Sequence, residues 1–379
     1  MKYSFELFRE DIYNCARTRC GFCVIECPTY REYEKETCTA RGRNVILRLL
    51  LEKLIEPTEE VAELFFQCAV CGYCEIRCAV PLVSIFEAAR ADFTRLGLQV
   101  EKHQKFAESI VKNHNPYFES HDQRSSWLEA HHISEPEAEL GFFVGCTSAY
   151  REQEMAKKTI EILNAAKVPF TLLGDEHCCG SPLLRTGQVE LVKDLARYNL
   201  QILKERGVKR LVTSCAGCYR TLLLDYPELL GKKTGIEVIH IIQLLNELIN
   251  EGHIIFREEP ASTTVTYHDP CHLNRHTNLD YAVPRTILKN IPGIEFVEME
   301  WNQENAHCCG AGGGVKAGFS DLALEIGKKR IFEAEETGAK LLVTPCPFCK
   351  RNLRDAAASL DSNMEIVDIT ELVTRFMIR

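Results

Sequence analysis

A cysteine pattern written twice constrains this chain more than any other feature. Cys146-x31-Cys178-Cys179-x35-Cys215-x2-Cys218 is followed by Cys271-x36-Cys308-Cys309-x36-Cys346-x2-Cys349. The flanks repeat as well: Lys209-Arg-Leu-Val-Thr-Ser-Cys215-Ala-Gly-Cys218 is echoed by Ala339-Lys-Leu-Leu-Val-Thr-Pro-Cys346-Pro-Phe-Cys349. His177-Cys178-Cys179-Gly180 is echoed by His307-Cys308-Cys309-Gly310, and both echoes are displaced by 130 or 131 residues. A fixed displacement at two landmarks means two copies of one structural unit. Each copy opens on a short apolar strand candidate, Gly141 to Gly145 and Thr264 to Tyr267. A helical segment, a second strand, the Cys-Cys-Gly element, another helix, a third strand and Cys-x-x-Cys follow. That alternation predicts α/β units with parallel strands. Two such halves would face each other about a pseudo-two-fold axis, with the cysteines at strand ends on the shared side.

A second cysteine zone precedes the repeat. Cys15-x4-Cys20-x2-Cys23-x3-Cys27-Pro28 and Cys68-x2-Cys71-x2-Cys74-x3-Cys78 are two four-cysteine runs. Such spacing wraps three thiolates round a cubane, and in two-cluster ferredoxins the fourth ligates the other cluster. This assigns Cys15, Cys20, Cys23 and Cys78 to one [4Fe-4S] cluster and Cys68, Cys71, Cys74 and Cys27 to another. Gly21 and Gly72 let the backbone pass close to the sulfurs. Structural zinc also uses Cys-x2-Cys pairs; two complete runs and the Cys-Pro ending favour clusters. The first gap of the first run is two residues longer than usual, and Cys78 is followed by Ala-Val-Pro81. About 40 residues separate the runs, so a helical ferredoxin module is expected rather than a small β one. Helices are predicted over Arg43 to Leu54, Glu59 to Phe66 and Leu82 to Leu96.

Nineteen cysteines in 379 residues exceed what a chain of this size needs for disulfide staples. The N-terminal segment carries acids and no apolar core of signal-peptide length. No window reaches the ~18–20 apolar residues of a membrane span; the most apolar, Val45 to Ile55, is broken by Arg48, Glu52 and Lys53. The expected setting is a reducing cytoplasm, with any membrane association made through a partner protein. The net charge of −9 and the absence of a basic stretch argue against nucleic acid.

Each repeat offers five thiolates, one more than a cubane takes. Adjacent cysteines at a turn can grip two irons or bridge between them, which suggests a distorted cluster with room for a substrate sulfur. The Cys…Cys-Cys-Gly…Cys-x-x-Cys pattern resembles the cysteine-rich CCG domain family. A CCG pair behind a two-cluster ferredoxin domain resembles the D-type subunits of heterodisulfide reductases. Glycolate oxidase iron–sulfur subunits and the C-type subunits of anaerobic glycerol-3-phosphate dehydrogenases have a similar layout. Further residues carry the resemblance: Cys27-Pro28-Thr29-Tyr30, Arg41-Gly42-Arg43, Asn115-Pro116 with Arg124 and Trp127, and His268-Asp269-Pro270-Cys271-His272. The resemblance implies one non-cubane [4Fe-4S] cluster per complete motif, held by Cys146, Cys178, Cys179, Cys215 and Cys218 and by Cys271, Cys308, Cys309, Cys346 and Cys349. The expected fold is α+β and multidomain: a helical ferredoxin-like domain with two [4Fe-4S] clusters over 1–100, a connector over 101–140, and pseudo-symmetric α/β CCG domains over 141–257 and 258–379.

Beside the cysteines stand several residues whose chemistry is open. His177 and His307 precede the Cys-Cys pairs and are either proton donors to a leaving thiolate or hydrogen-bond donors that tune a cluster. His268, His272 and His276 are expected to order the loop round Cys271, and His240 to be a satisfied core residue. Lys316 is read as a surface lysine beside a flexible loop, with a substrate carboxylate or phosphate as its alternative partner. Gly310-Ala-Gly-Gly-Gly314 lacks a Walker ending and is read as backbone packed against a cluster, opening a helix. Cys38 is left over; it is read as a buried small hydrophobe, with replacement of Cys15 as a ligand the alternative.

No dinucleotide fingerprint is present, so no flavin or nicotinamide is expected. Two functions compete. In one the chain acts on a small thiol/disulfide substrate, as a catalytic oxidoreductase subunit; in the other it relays electrons from a flavoprotein dehydrogenase of the 2-hydroxy acid or acyl-CoA type to quinone or a membrane cytochrome b. A redox sensor or zinc scaffold is the non-enzymatic reading. Two intact motifs favour the first.

Overall fold

The structure, a computed structural model, describes residues 3–128, 137–259 and 262–378. Part of the expected connector, 129–136, lies outside the described residues.

The N-terminal region is helical: α1 (Arg9–Thr18), α2 (Pro28–Tyr33), α3 (Ala40–Leu51), α4 (Glu59–Phe66) and α5 (Leu82–Arg95). Local chemistry starts three of them. Pro28 sits in the first turn of α2, where its missing N–H costs nothing. Thr39 and Thr58 cap α3 and α4 by accepting from Gly42 N and Val61 N. Cys15 lies within α1; the remaining cysteines of the two runs fall between α-helices, on turns made by Gly21 and Gly72 in the left-handed region. The helices bury an apolar cluster of Ile12, Leu47, Phe65, Phe66, Ile85 and Phe93. Next, α6 (Glu101–Asn113) opens the expected connector. Its Phe106 and Ile110, with Trp127, join the large core of the repeat.

Parallel strands cannot be joined by hairpins, so each pair needs a crossover. In the first half β1 (Leu140–Phe143) leads through α7 (Cys146–Tyr150) and α8 (Gln153–Ala165) to β2 (Thr171–Leu172). Then α9 (Ser181–Arg185) and α10 (Val192–Glu205) reach β3 (Arg210–Thr213). The half closes with α11 (Ala216–Arg220), α12 (Tyr226–Leu230), β4 (Glu237–His240) and α13 (Ile241–Asn250). The second half runs β5 (Thr263–Tyr267), α14 (Ala282–Asn290), β6 (Ile294–Phe296), α15 (Val315–Gly318) and α16 (Ser320–Glu335). It ends with β7 (Leu341–Val343), α17 (Pro347–Ser359), β8 (Glu365–Val367) and α18 (Ile369–Phe376). The sheets have the orders β2-β1-β3-β4 and β6-β5-β7-β8, and every ladder is parallel. The alternation in the sequence predicts three strands per half; it misses the short fourth strands, β4 and β8, because each lies directly against a more strongly helical segment.

Helix α13 of the first half packs on α14 of the second, and α18 of the second packs on α8 of the first. Each half thus lays its last helix on the first long helix of the other, the reciprocal contact a pseudo-two-fold axis requires. Lys350 and Arg354 of α17 both pair with buried Glu152 at the start of α8.

Candidate functional site

In sheets of this order, the chain leaves β1 and β3 in opposite directions, and the crevice between them opens beyond their carboxyl ends. Cys146 lies three residues past β1 and Cys215 two past β3. Cys271 and Cys346 lie at the matching places beyond β5 and β7. Cys146 opens α7, and Cys215 and Cys346 are the residues before α11 and α17. Helix amino termini favour thiolate over thiol.

The adjacent cysteines divide between neighbours. Cys178 is hydrogen-bonded to Cys146 while Cys179 is bonded to Cys218, which in turn touches Cys215. Likewise Cys308 meets Cys271, whereas Cys309 Sγ lies 3.3 Å from Cys349 Sγ, and Cys349 touches Cys346. Both pairs turn on a left-handed glycine, Gly180 (φ +87°) and Gly310 (φ +88°). The two sets meet across the pseudo-axis, where Cys215 and Cys346 are hydrogen-bonded. That contact pulls Cys346 down, whereas Cys215, drawn down by Cys218, is pushed up on balance by Cys346 and by burial. At the far end Cys308 also meets Cys71 of the N-terminal region, and that bond pulls Cys71 down to about 6. The ten repeat cysteines therefore form one sulfur chain, reached from the N-terminal region through Cys71. All but Cys271 of the ten are buried, and all 19 cysteines are free thiols. A donor set of thiols alone, packed sulfur against sulfur without disulfides, fits soft iron–sulfur chemistry.

Cys27, Cys68, Cys71 and Cys74, with Gly72 and Arg43, line one cavity of the N-terminal region. Cys15 lies where the charges of Cys78 and Cys20 act on it, and burial pushes it up. Cys38 is buried, and its carbonyl gathers Thr29 Oγ1 and Arg43 Nη1 beside Cys27.

The two histidines before the Cys-Cys pairs differ. His177 is sandwiched between His114 and Tyr198, with ring centroids 3.5 and 3.6 Å away. Burial, then the neighbouring His114 and His121, push it down to about 3. His307 has Nδ1 at 2.5 Å from Glu333 and Nε2 at 3.0 Å from Glu26, and lies over Trp301. Burial opposes ionisation of Glu333, yet the His307 bond and the Arg330 charge hold it down at about 2. A fully buried ion pair, Arg124 with Glu176 at 2.8 Å, stands over the first set, and Arg124 Nη1 lies 3.6 Å from Cys146 Sγ.

The structure adds partners to several of these residues and corrects the reading of Lys316. The glycine run packs on the N-terminal region: a Cβ on Gly312 or Gly313 would meet backbone of Cys68 and Ala69 within 2.8 Å. Gly314 is pressed on His103 and Thr186. It does open a helix, the single turn of α15. Lys316 is half-buried and holds Asn352 and Asp355, so it is neither a free surface lysine nor open to a substrate anion. His276 reaches beyond its loop to Val70 O, Arg275 bonds Cys71 O, and His272 lies 3.4 Å from Arg220. His240 is fully buried, as expected of a core residue, and caps α13 through Nδ1.

Sequence reasoning missed Glu26, Glu176, Arg330 and Glu333. None carries a motif; each matters through a residue distant in the chain. Missed too was Arg90, wholly buried and bonded to Phe65 O, Cys68 O, Arg185 O and Gly313 O, which joins both halves to the N-terminal region.

The cysteine-rich CCG domain matches twice, over residues 140–223 and 265–354. Over 94% of its length the chain is 40% identical to the D-type subunit of dihydromethanophenazine:CoB–CoM heterodisulfide reductase from Methanosarcina barkeri, covering 92% of that protein. The chain belongs to this CCG-domain iron–sulfur family. It is 31% identical to the B-type subunit of the CoM/CoB fumarate reductase of Methanothermobacter marburgensis, over 93% of this chain and 70% of that one. It is also 28% identical to an EtfAB:quinone oxidoreductase of Syntrophomonas wolfei, over 83% of this chain and 47% of that one. As a member of the family the chain is an iron–sulfur oxidoreductase subunit. Among the described residues no helix is long and apolar enough to cross a membrane.

Proposed function

We propose that this chain is the thiol–disulfide-acting subunit of a heterodisulfide-reductase-like complex. In this reading Cys15, Cys20, Cys23 and Cys78 hold one [4Fe-4S] cluster of a ferredoxin-type domain, and Cys68, Cys71, Cys74 and Cys27 hold another. The five-cysteine sets of the two CCG domains hold two further clusters of non-cubane type. Bound clusters supply one-electron steps, whereas splitting a disulfide takes two electrons and two protons. The observation that carries the reading is the meeting of two complete sets at Cys215 and Cys346, with the N-terminal region joined to one of them through Cys71. Two sets on either side of one seam can serve the two sulfurs of one disulfide.

The protein's own residues supply orientation and protons. Arg124, neutralised by Glu176, fixes Cys146 without adding net charge to the site. His307 stands beside a cleft lined by Glu26, Arg31 and Lys329, which makes it the better placed of the two histidines to deliver a proton. His177, held in its stack, is assigned to ordering the first Cys-Cys turn. A flavoprotein or a membrane cytochrome b is the proposed partner, and the cytoplasm the proposed location.

A second reading, electron relay without a substrate, is favoured by the burial of nine of the ten repeat cysteines and by the likeness to the quinone oxidoreductase. Anaerobic purification followed by oxidation of reduced viologen with a panel of small disulfides separates the two. The first reading expects roughly sixteen irons per chain and turnover that Cys178→Ala or Cys308→Ala abolishes. Fully loaded protein that reduces no disulfide supports the relay. Iron-free, zinc-loaded protein overturns both.

A further inference from the structure

The repeat is not symmetric three residues before the first cysteine of each half, where Phe143 stands in one and His268 in the other. Both continue the inner strand of their sheet; His268 N bonds Val343 O at 2.9 Å. The histidine is 1% exposed. One of its ring nitrogens lies within 4.8 Å of both Cys309 Sγ and Cys349 Sγ. Nδ1 accepts from Arg330 Nε at 3.2 Å. Arg330 is itself fully buried and fixed by Trp301 O (2.8 Å) and Glu333 Oε2 (2.7 Å).

This arrangement decides the tautomer. A guanidinium N–H has no lone pair and can only donate, so Nδ1 must offer its own lone pair. The ring hydrogen is left on Nε2, the buried nitrogen that Arg330 does not occupy, and Cys309 takes a hydrogen bond from this ring. A nitrogen that keeps its hydrogen cannot bind iron, so the same contact that aims the ring at the sulfurs also bars it from becoming a ligand.

We propose that His268 is a positioning residue of the second site: its Nε2–H is a fixed hydrogen-bond donor to the Cys309–Cys349 sulfurs, held in that tautomer by Arg330, and it raises the reduction potential there. The inference rests on the proposed function, in which those sulfurs hold a cluster. A donor aimed at cluster sulfur stabilises the extra negative charge of the reduced state, and so shifts the potential upward. Phe143 offers no such donor at the matching place in the first site, whose own side-chain donor, Arg124 Nη1 to Cys146 Sγ, is neutralised by Glu176. The second site is also the one that meets Cys71. Electrons arriving from the N-terminal region thus reach first the site where reduction is favoured, and the first electron waits there for the second.

The test uses anaerobic holoprotein, redox titration followed by electron paramagnetic resonance, and proton and nitrogen hyperfine spectra before and after exchange into D2O. Cys308→Ala identifies the second-site signal. The wild-type signal should couple to an exchangeable proton and only weakly to nitrogen. His268→Phe, which copies the first half, should abolish that proton coupling and move the second-site midpoint to more negative potential at unchanged iron content. His268→Gln, which restores an N–H, should return most of the shift. An unchanged midpoint and a retained proton coupling in His268→Phe would falsify the proposal. So would a strong nitrogen coupling in wild type, which means direct ligation and needs no variant to fold. Wild-type protein without iron overturns the functional reading beneath it, and is distinguished from these by metal analysis alone.

Discussion

The two halves share a backbone and a thiol pattern, yet their sites stand in different surroundings. Round the first set are neutral rings and internally neutralised charges: His114, His177 and Tyr198 in a stack, Arg124 with Glu176, and Arg185, which faces Cys179, with Glu87 and Asp225. Round the second, charge runs in a connected line from Glu26 through His307, Glu333 and Arg330 to His268. The difference comes from what covers each half. The connector supplies His114 and Arg124 to the first; the loop between α1 and α2 supplies Glu26 to the second. Duplication copied the thiols and the turns that aim them, and the unduplicated segments made the copies inequivalent.

The largest effect that tests this contrast concerns the buried carboxylates. Glu176→Ala leaves Arg124, wholly buried, with only Cys146 and Tyr150 beside it and no counter-charge among its side-chain partners, and should destabilise by about 3–5 kcal/mol. Glu333→Ala should cost less, because Arg330 keeps Trp301 O and His268 and the cleft admits water. Anaerobic urea unfolding measures both, and equal losses would mean that the two surroundings are energetically alike.

A smaller effect separates the glycines of the two Cys-Cys turns. Both are left-handed, so alanine carries the same backbone cost of about 1–2 kcal/mol at either. The added Cβ meets Val192 Cγ1 at 2.5 Å in Gly180→Ala, but the backbone oxygen of Ala323 at 2.4 Å in Gly310→Ala. A valine can turn and a helix carbonyl cannot. Gly310→Ala should therefore cost about 1–3 kcal/mol more, read from the difference in unfolding midpoints.

The smallest effect is a slope. His240 and Asp368 occupy corresponding helix caps, before α13 and α18. Burial lowers His240 from 6.5 to about 4, so the folded state resists its protonation and stability falls as pH drops from 6.5 towards 4. Burial, then the charge of Glu371, raises Asp368 from 3.8 to about 7. Its contribution is full below 3.8 and is lost as pH rises through about 7. The two slopes oppose each other in one window, between about pH 4 and 7. Asp368→Asn keeps a capping oxygen and removes the fall, so stability should climb more steeply with pH there; His240→Asn removes the rise, so the slope should shift downward. If either variant shifts the slope the other way, the caps are not the titrating groups.

Much of this was legible beforehand because it is local or periodic. Helices at Glu59–Phe66 and Leu82–Arg95 follow from apolar spacing, and the doubled pattern announces two similar α/β halves. β4 and β8 were not legible: three or four residues between loop and helix give no period to read. Nor was the seat of Gly312 and Gly313, since a glycine run declares close approach without saying to what.

The sequence by itself determined which atoms are available: nineteen thiols, ten of them in two matching frames, and a family likeness that the comparison with known proteins upheld. Only the tertiary structure decided that Cys215 faces Cys346, that Cys71 reaches Cys308, and that Arg330 takes Nδ1 of His268. The physical reason is range. Propensity, periodicity and turn chemistry act within a few residues along the chain. Electrostatics and hydrogen bonding act within a few ångströms through space, and the residues they join here lie 62, 131 and 237 positions apart in sequence.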